Sequence, residues 1–495
     1  MKFAKRLTAL LIVAVMLISS CLFVNAAKAT VTVNSTHTVD TGVSYSKLTV
    51  KSGQNGNTVS GVALEFNPAD GYMPMVFAPY AGSANVLADY YSVATTKYGY
   101  DVAGIINGSF FDMDTSNLLG LNISNGKVSC AHSGYSGEVV AFDSNGKMDI
   151  VTSCLEYKLF IGGKEVPNSP IRYINKRYEN DSWGPDRIFY YDTSCGTIAD
   201  TTVKGYEVVC QKMNNSDLIV GSSLFAKVVS VGENTYGTKF ESNANIESDK
   251  FVLFVKSDSS FAKYLKDLKA GDDIAIAVNE TNPEAKEVME KANSVITNVG
   301  FLVKDGVDRT RIDSAIGTHS VTLQARWTAF GQKADGSYVF LTTEGGSTGE
   351  GGSVTLRDVA DYMISKGCVN VIRMDGGGSS AMYLKRTSAG SAGYAQYSSR
   401  KVTDGIMVVK KSSAVKSELV TALNTAIANA KASVASTPNA SLSAAIAEAE
   451  AAVKKGNVVS GDARALIAKL SGKKELFAIA TTASSASYLE YSEES

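Results

Sequence analysis

Polar side chains stand at the ends of apolar runs in three segments of the chain, which are 107–112, 326–328 and 375–380. An asparagine offers both a donor and an acceptor to sugar hydroxyls or phosphate oxygens, and an arginine can form a bidentate pair with a phosphate. Two carboxylates can cleave a glycosidic bond, because one protonates the leaving oxygen while the other assists the attack. These residue types predict chemistry on a sugar or a phosphate ester.

The third segment begins with Asp375, which three successive glycines and two serines follow. A chain keeps such glycines, despite their entropic cost, where its backbone must approach a ligand or adopt a positive φ. Glycine N–H groups can line a concavity that binds anions, and the serine hydroxyls add donors. Asp375 is therefore a candidate acid, base or sugar-binding group. The alternative interpretation is a tight turn with a capping aspartate.

Two further carboxylates are candidates for the same chemistry. Asp112 ends the first segment, and Glu344 follows the strand predicted over 339–343. Asp112 could instead cap a turn. The stretch 112–117 resembles a calcium loop only faintly, because the required glycine and the distal glutamate are missing. We therefore expect no cofactor, and a divalent cation such as calcium is not indicated.

The elements that would position these residues are those of an α+β protein. Apolar runs bounded by Gly, Asn and Asp predict strands at 62–66, 103–106, 139–142, 204–209, 251–255, 274–278 and 339–343. Asn-Gly or Asp-Gly pairs predict hairpin turns at 125–126, 145–146 and 335–336. Periodic apolar residues and helix-end signals predict helices at 261–268, 283–292 and 356–366.

The helix at 356–366 is the clearest of the three. Thr355 can cap it, Gly367 can end it, and its predicted apolar stripe includes Val359, Met363 and Ile364. The apolar run 369–374 then predicts a buried strand. Asp375 would stand at the end of that strand, beside the glycine loop, which is a common way to present a functional side chain.

The composition changes after Lys411 to one rich in Ala, Lys, Ser and Glu. Helical spacing at 416–433, 441–455 and 462–470 predicts three helices. We therefore predict an α+β fold with a mixed β-sheet catalytic domain at 30–411 that has few helices. A small all-α module follows at 412–480, and the tail at 481–495 is expected to be disordered. The module resembles Ala-rich helices of bacterial cell-surface proteins, which implies association with a cell wall.

The N-terminal segment predicts export. Basic residues precede the apolar run 7–24, and Ala27-Lys28-Ala29 matches a cleavage site, so that 1–29 reads as a signal peptide of a secreted protein. The alternative is a lipobox at 18–21, which would make Cys21 a lipid anchor. No other stretch is long and apolar enough for a transmembrane span.

Charge and cysteine content exclude some classes of protein. The formal net charge is −1, which gives no indication of a nucleic-acid partner, and three histidines argue against a histidine-rich zinc site. Beyond Cys21 there are five cysteines, so at least one is unpaired. Cys195 and Cys210 could close a loop, but the favoured interpretation is small buried residues.

Together the three segments resemble the phosphodiester glycosidase family. The resemblance is carried by Asn107-Gly108-Ser109-Phe110-Phe111-Asp112, by Thr328-Ala329-Phe330-Gly331 with Ala334-Asp335-Gly336, and by Asp375 to Ser380, in the family's order over about residues 39–410. It implies a secreted hydrolase that cleaves the glycosidic bond of a sugar 1-phosphodiester, such as an N-acetylglucosamine-1-phosphodiester. The products would be the sugar and a phosphomonoester. The substrate partner would be a carbohydrate phosphodiester, for which a cell-wall polymer is one candidate.

The patterns and the resemblance assign residues to two groups. The catalytic candidates are Asp375 and Asp112, either of which could act as base or stabilise an oxocarbenium ion. The substrate-binding candidates are Asn107, Arg326, Thr328, Glu344, Gly376, Gly377, Gly378, Ser379 and Ser380. Electrostatic stabilisation of the leaving phosphate would supply much of the rate.

The chain departs from the family pattern in two places. The family usually has Arg directly before the Thr of the hairpin, whereas here Trp327 intervenes and Arg326 stands one place earlier. A shifted register would turn that arginine to the other face of the strand. Glu344-Gly345-Gly346 also stands where the family often has Asp-Gly-Arg. Two other functions therefore stay open: a non-catalytic module that binds cell-wall glycans or polyanions, and a hydrolase of another glycoside or phosphoester on the same fold.

Overall fold

A computed structural model describes residues 27–79, 84–132, 136–168, 170–176, 186–195, 204–213, 217–234, 246–247, 249–297, 300–346, 351–386, 392–414, 417–455, 458, 462–463, 465–467 and 469–470. The predicted tail, Cys21 and nearly all of the predicted signal peptide lie outside these residues. None of the helices in the described ranges has the length and apolar content that a membrane span requires.

Two antiparallel sheets pack face to face. The first has eight strands, which in sheet order are β1 (Thr30–Asp40), β2 (Val43–Lys51), β3 (Thr58–Phe66), β23 (Tyr338–Thr343), β22 (Thr328–Lys333), β24 (Cys368–Arg373), β18 (Phe301–Lys304) and β19 (Val307–Asp308). The second has five, which are β26 (Gly393–Gln396), β25 (Met382–Leu384), β5 (Val102–Asn107), β27 (Gly405–Lys410) and β4 (Tyr72–Phe77).

The core between these sheets is apolar because alternate residues of each strand face inward. Leu64, Phe330 and Ile372 of the first sheet meet Ile106 and Ile406 of the second. The outer face of the five-stranded sheet is covered by α1 (Leu87–Thr96), and that of the eight-stranded sheet by α4 (Leu356–Ser365).

A third sheet closes on itself as a barrel. Its twelve strands in sheet order are β10 (Lys164–Glu165), β9 (Met148–Ile161), β16 (Asp273–Glu280), β14 (Ser222–Asn234), β13 (Gly205–Lys212), β15 (Lys250–Lys256), β12 (Ile188–Tyr191), β11 (Ile171–Ile174), β7 (Lys127–His132), β6 (Asn122–Ser124), β17 (Ser294–Thr297) and β8 (Ser136–Phe142). Strand β9 also pairs with β8 along 136–142, which completes the ring. Alternate residues such as Leu155, Tyr157 and Leu159 share its buried core.

The remaining elements are short. A hairpin of β20 (Ala315–Ile316) and β21 (His319–Ser320) follows β19, while α2 (Ala262–Leu265) and α3 (Pro283–Lys291) pack beside the barrel strands. After the sheets come α5 (Ser417–Ser436) and α6 (Ala440–Lys455), which have an apolar core of their own. The third predicted helix, at 462–470, is described only in part. The domain boundaries and the association of these helices with a cell wall stay predictions.

The α+β prediction is confirmed, and each of the seven predicted strands and three predicted turns is present. Thr355 forms a capping box with Asp358, and Gly367 ends α4 with a positive φ of 85°.

Two details of the predicted helices were wrong. The helix expected at 261–268 spans only four residues, and Ile364 is 37% exposed rather than part of the buried stripe. Asp358 of α4 is buried instead, and its carboxylate accepts hydrogen bonds from the Ser52 hydroxyl and the Gly53 N–H.

The cysteines in the described residues are all free thiols, so Cys195 and Cys210 do not form a bridge. Cys130, Cys195, Cys210 and Cys368 are buried, which confirms the favoured interpretation.

Candidate active site

The glycine loop lies where the two facing sheets meet. Strand β24 runs on through Met374, whose N–H donates to the carbonyl of Thr328 at 2.8 Å. The next N–H, that of Asp375, donates to the carbonyl of Gly108 at 3.0 Å, beyond the end of β5. The chain therefore crosses from the eight-stranded to the five-stranded sheet at Asp375, which fixes this residue between two rigid elements.

Asn107 ties together the three segments that the sequence singled out. Its Nδ2 donates to the carbonyl of Asp375 at 2.7 Å, and its Oδ1 accepts from the Thr328 hydroxyl at 2.7 Å and from the Ala381 N–H at 3.1 Å. Asn107 and Thr328 are completely buried. Both side chains therefore position the loop and do not line the cleft, although the sequence assigned them to substrate.

A cavity of about 300 Å³ opens beside the loop. The residues that line it are His319, Trp327, Arg373, Asp375, Gly376, Gly377, Gly378 and Arg400. Asp375 and the three glycines were predicted site residues. The two arginines and the histidine were not, and they give the cavity a basic wall opposite a single carboxylate.

Burial raises the pKa of the Asp375 carboxyl above its ordinary value, against the opposing effects of the Ser379 hydroxyl, the Gly376 N–H and the charges of Arg400 and Arg373. The Gly376 N–H donates to Asp375 Oδ1 at 2.9 Å. A carboxyl with a raised pKa at the wall of a cleft is typical of a group that exchanges protons with a substrate.

Arg373 is the strongest anion-binding candidate in the described part of the chain. Its side chain is completely buried, and its guanidinium lies 5.1 Å from the Phe110 ring centre and 5.7 Å from that of Trp327. Only Nη2 has a partner, which is His319 Nδ1 at 3.1 Å, while Nε and Nη1 have none. Burial lowers the pKa of Arg373 to about 10. A buried cation with two unsatisfied N–H groups is costly, and an anionic ligand would offset that cost.

The partner of Arg373 is held in one protonation state. Burial, followed by the charge of Arg373, lowers the pKa of His319. Because a guanidinium only donates, Nδ1 of the neutral ring is the acceptor, and the ring proton resides on Nε2. His319 thus adds a second donor group to the basic wall.

Arg400 supplies a second cation at the mouth of the cavity. Its side chain packs against Gly378 so closely that a Cβ there would lie 2.8 Å from Cζ of the guanidinium. The Ser398 hydroxyl donates to the Gly378 carbonyl, which fixes the segment that carries Arg400 to the glycine loop. Arg400 Nη1 also contacts Met113 Sδ at 3.5 Å.

The glycines serve close packing more than anion binding. A Cβ at Gly376 would lie 3.0 Å from both the Arg326 carbonyl and the Trp327 ring, and Gly377 has a φ of +57°. The N–H of Gly377 donates to the Arg326 carbonyl at 2.9 Å. The N–H groups of Gly376, Ser379 and Ser380 are also bonded within the loop. Most N–H groups of the loop therefore already have partners within the protein, which leaves the arginines of the cavity as the candidate groups for binding an anion.

Asn107, Thr328, Ser379 and Ser380 are not among the residues that line the cavity, and three further predicted residues are also absent from its wall. Asp112 Oδ1 accepts from the N–H and the hydroxyl of Thr115, both at 2.8 Å, and these bonds lower its pKa, as expected of a turn cap. Arg326 Nε donates to the Gly345 carbonyl at 2.6 Å, and the Glu344 side chain is exposed. Since Trp327 lines the cavity, its neighbour Arg326 faces the other side, as the shifted register predicts.

Asp404 is a second carboxylate that the sequence did not indicate. It is completely buried and accepts from the N–H and hydroxyl of Ser109 at 2.8 and 2.9 Å and from Asn122 Nδ2 at 2.8 Å. Burial raises its pKa, as does the charge of Asp375 to a smaller extent. Asp404 has no access to the cavity and is a positioning residue for the segment that begins at Gly108.

Among the site residues that the sequence analysis missed, Arg373 could have been found from its spacing to Asp375. Arg373 and Asp375 are two places apart at the end of a strand, so their side chains share a face. His319, Arg400 and Asp404 come from distant segments, and no local pattern links them to Asp375.

A larger and more open depression of about 650 Å³ lies at the end of the β1–β2 hairpin. Its charged groups are satisfied within the protein: Asp40 accepts from Tyr72 at 2.6 Å, and Lys385 binds Asp101 at 2.6 Å. We therefore assign the chemistry to the smaller cavity.

Comparison with known proteins agrees with this assignment. Residues 226–409 match the sequence profile described as phosphodiester glycosidase, and this range contains every residue that lines the cavity. Over 80 residues the chain is 36% identical to the SPbeta prophage-derived uncharacterized protein YomE of Bacillus subtilis. The aligned stretch covers 16% of this chain and 12% of that protein.

Two solved structures share the fold. A hypothetical protein from Synechocystis has a TM-score of 0.52 at 16% identity, with 75% of this chain and 62% of that chain covered. A protein from Burkholderia pseudomallei has a TM-score of 0.54 at 13% identity, with 78% and 97% covered. The chain thus spans less than two thirds of the Bacillus and Synechocystis proteins. The resemblance drawn from the sequence is confirmed for residues 226–409, which match the phosphodiester glycosidase family.

Proposed function

We propose that the chain hydrolyses the glycosidic bond of a sugar 1-phosphodiester, of the N-acetylglucosamine-1-phosphodiester type, and releases the sugar and a phosphomonoester. The observation that carries this proposal is the buried guanidinium of Arg373, which has two N–H groups without a partner in the same cavity as Asp375. A phosphodiester supplies the charge that the basic wall lacks, and the adjacent carboxyl supplies the chemistry.

The phosphodiester group would accept hydrogen bonds from Arg373 and face Arg400 at the mouth. In this position the arginines stabilise the negative charge that develops on the leaving phosphate as the bond from the anomeric carbon breaks. The bonding electron pair goes to the phosphate oxygen. A phosphomonoester leaves without strong protonation, so the single carboxylate that the described residues contribute to the cavity is sufficient.

Asp375 would act on the nucleophile, which is the attacking water. Its carboxylate accepts the proton that the water loses as the new bond to the anomeric carbon forms, and its charge favours an oxocarbenium-like transition state. Both roles need the ionised form. Because burial raises the pKa of Asp375, we expect activity to fall on acidification at a higher pH than an ordinary aspartate would give.

A substrate panel tests this function. Purified full-length protein is given an aryl N-acetylglucosamine-1-phosphodiester, an aryl N-acetylglucosaminide and an aryl phosphate. We expect turnover of the first only, and a loss of about 10³-fold or more in kcat/KM for Asp375→Ala. The matched control is Asp112→Ala, which removes an aspartate outside the cavity and should retain activity within about threefold.

The other outcomes identify the alternatives. Binding of the phosphodiester without turnover of any compound would favour the non-catalytic module that binds glycans or polyanions. Turnover of the aryl phosphate alone would favour a phosphoester hydrolase on the same fold.

We also propose that the protein is exported after cleavage near Ala29. The support is the basic and apolar pattern of the leader, together with the start of β1 at Thr30, directly after the expected cleavage site. Sequencing of the N-terminus of protein recovered from the host's culture medium checks this. A lipid-modified N-terminal Cys21 would show the lipobox alternative instead.

A further inference from the structure

Three residues before Arg400, which lines the cavity, the chain carries a large exposed aromatic side chain that the proposed chemistry does not use. Tyr397 is 64% exposed, although tyrosine normally buries most of its ring. Its neighbour Ser398 donates to the Gly378 carbonyl, which ties the chain next to Tyr397 to the glycine loop. Arg400, two residues further on, lines the cavity.

Tyr397 is the exposed end of a row of four tyrosines, which are Tyr91, Tyr383, Tyr394 and Tyr397. The centres of successive rings are 4.9, 4.9 and 5.0 Å apart. The Tyr394 ring meets Tyr397 edge to face at 86°, and its hydroxyl accepts from the Ala88 N–H at 3.2 Å. The row therefore holds Tyr397 as a fixed platform rather than as a mobile surface side chain.

The size of the cavity indicates what must lie on this rim. At about 300 Å³ it is at the lower end of the range of roughly 300–1,000 Å³ for small-molecule sites, so it has room for about one sugar with its phosphoryl group. Whatever the phosphate is esterified to on its other side must leave through the mouth. There it would meet Arg400 and Tyr397 on the segment 397–400, and Met113, which is 60% exposed and contacts Arg400.

We propose that Tyr397 is a stacking platform for a second sugar, so that the substrate is a glycan in which phosphodiester groups join successive sugars. This inference rests on the proposed function, because it assigns the group on the far side of the scissile phosphodiester. An exposed tyrosine ring offers an apolar face to the C–H face of a sugar and a hydroxyl to its polar edge.

The charges on the rim agree with an anionic glycan. Arg400 lines the cavity and follows Tyr397 by three residues in the chain. Arg386, an exposed cation, donates to the carbonyl of Tyr394 at 3.3 Å, beside the next ring of the row. A polymer with a phosphodiester at each linkage would place one phosphate in the cavity and bring the next one toward Arg386. A neutral glycan would use neither arginine.

Selectivity between two substrates tests the platform. The substrates are poly(N-acetylglucosamine 1-phosphate), whose sugars are linked by phosphodiesters, and the methyl phosphodiester of N-acetylglucosamine 1-phosphate, which has no second sugar. For Tyr397→Ala we expect the ratio of kcat/KM for the polymer to that for the methyl compound to fall about tenfold, mainly through KM. Tyr397→Phe, which keeps the ring, should restore most of the ratio. Val229→Ala, an exposed position on barrel strand β14, should leave it unchanged.

An unchanged ratio in Tyr397→Ala would overturn the platform and leave the proposed function intact. If the wild type cleaves neither compound, the proposed function fails, and retardation in a gel that contains the polymer still tests the platform. Loss of retardation in Tyr397→Ala, with normal retardation of Val229→Ala, would support it. Equal retardation of both variants would overturn it, as would equal retardation of the wild type by the neutral N-acetylglucosamine hexamer.

Discussion

The barrel and the cleft both bury charged side chains, but they treat them in opposite ways. In the barrel, Asp192 is completely buried and bonds to Lys127 at 2.7 Å and to Asn175 Nδ2 at 3.0 Å. Burial alone would raise the pKa of Asp192, but Lys127 and Lys212 outweigh it and hold it well below the usual range. In the cleft, Arg373 is equally buried, yet two of its N–H groups have no partner.

The difference separates a structural charge from a functional one. At Asp192 the protein stabilises the ionised form, and the group is satisfied without any ligand. At Arg373 and Asp375 the fold disfavours both charged forms, since burial lowers the pKa of the first and raises that of the second. A site that awaits an anion bears that cost in the free protein and recovers it on binding.

The largest effect on stability is expected in the barrel. Asp192→Asn leaves Lys127 without its closest counter-charge and should lower the free energy of unfolding by about 3–5 kcal/mol at pH 7. Because the folded pKa of Asp192 is depressed, its contribution is present above the unfolded pKa and is lost as the pH falls through the folded one. Urea unfolding at several pH values measures this. Asp258→Asn, at a side chain that is 68% exposed, is the control, and an equal small loss in both would contradict the comparison.

Removal of the cation in the cleft should lower activity without lowering stability. Arg373→Met keeps the volume of the side chain but removes a buried, partly unsatisfied charge, so that the protein should unfold at the same or a higher temperature. Its kcat/KM should fall about 10²–10³-fold. Inorganic phosphate should raise the Tm of the wild type but not that of Arg373→Met.

The matched control for Arg373→Met is Arg326→Met, whose arginine bonds the Gly345 carbonyl outside the cavity. It should retain both activity and the stabilisation by phosphate. If phosphate stabilises Arg373→Met as strongly as the wild type, the assignment of the anion site is wrong.

The smallest expected effect is the pH dependence of stability at Asp375. Its folded pKa is raised, so the folded state takes up a proton at a higher pH than the unfolded state. The ionised carboxyl therefore costs stability at neutral pH, and this cost disappears as the pH falls through the folded pKa toward the unfolded one. Asp375→Asn should be more stable than the wild type at pH 8, with a smaller gap at pH 4. A variant less stable than the wild type at pH 8 would show that the carboxylate stabilises the fold.

Local patterns were sufficient for much of the fold and for the centre of the site. Alternating apolar residues and Asn-Gly turns located the strands, and the capping signals around 355–367 located α4, because these depend on neighbours in sequence. The strand that leads to Asp375 followed from the same patterns, whereas the grouping of Asn107, Thr328 and Asp375 in one site came from the resemblance to the family. The closure of eleven of the twelve strands into a barrel followed from neither, since strand order depends on contacts distant in sequence.

The sequence did not identify which arginine lines the cavity, because this too depends on contacts between segments that are distant in sequence. Arg326 was the candidate nearest to the arginine of the family's pattern, whereas Arg373 occupies the cavity, where Trp327 and Phe110 flank its guanidinium. Asp112 was a plausible second carboxylate by spacing, but its turn needs the oxygen for Thr115. Arg400 comes to the cavity from beyond β26, through contacts with the glycine loop that only the folded chain shows.

Hydrolysis in water enriched in ¹⁸O tests the central claim most directly, because it shows which bond breaks. An N-acetylglucosamine-1-phosphodiester is turned over by the wild type, and the label in each product is measured by mass spectrometry. Attack at the anomeric carbon, with the phosphate held by Arg373 and water activated by Asp375, predicts one ¹⁸O in the released sugar and none in the phosphomonoester. Label in a phosphate product would show cleavage at phosphorus and would contradict the account.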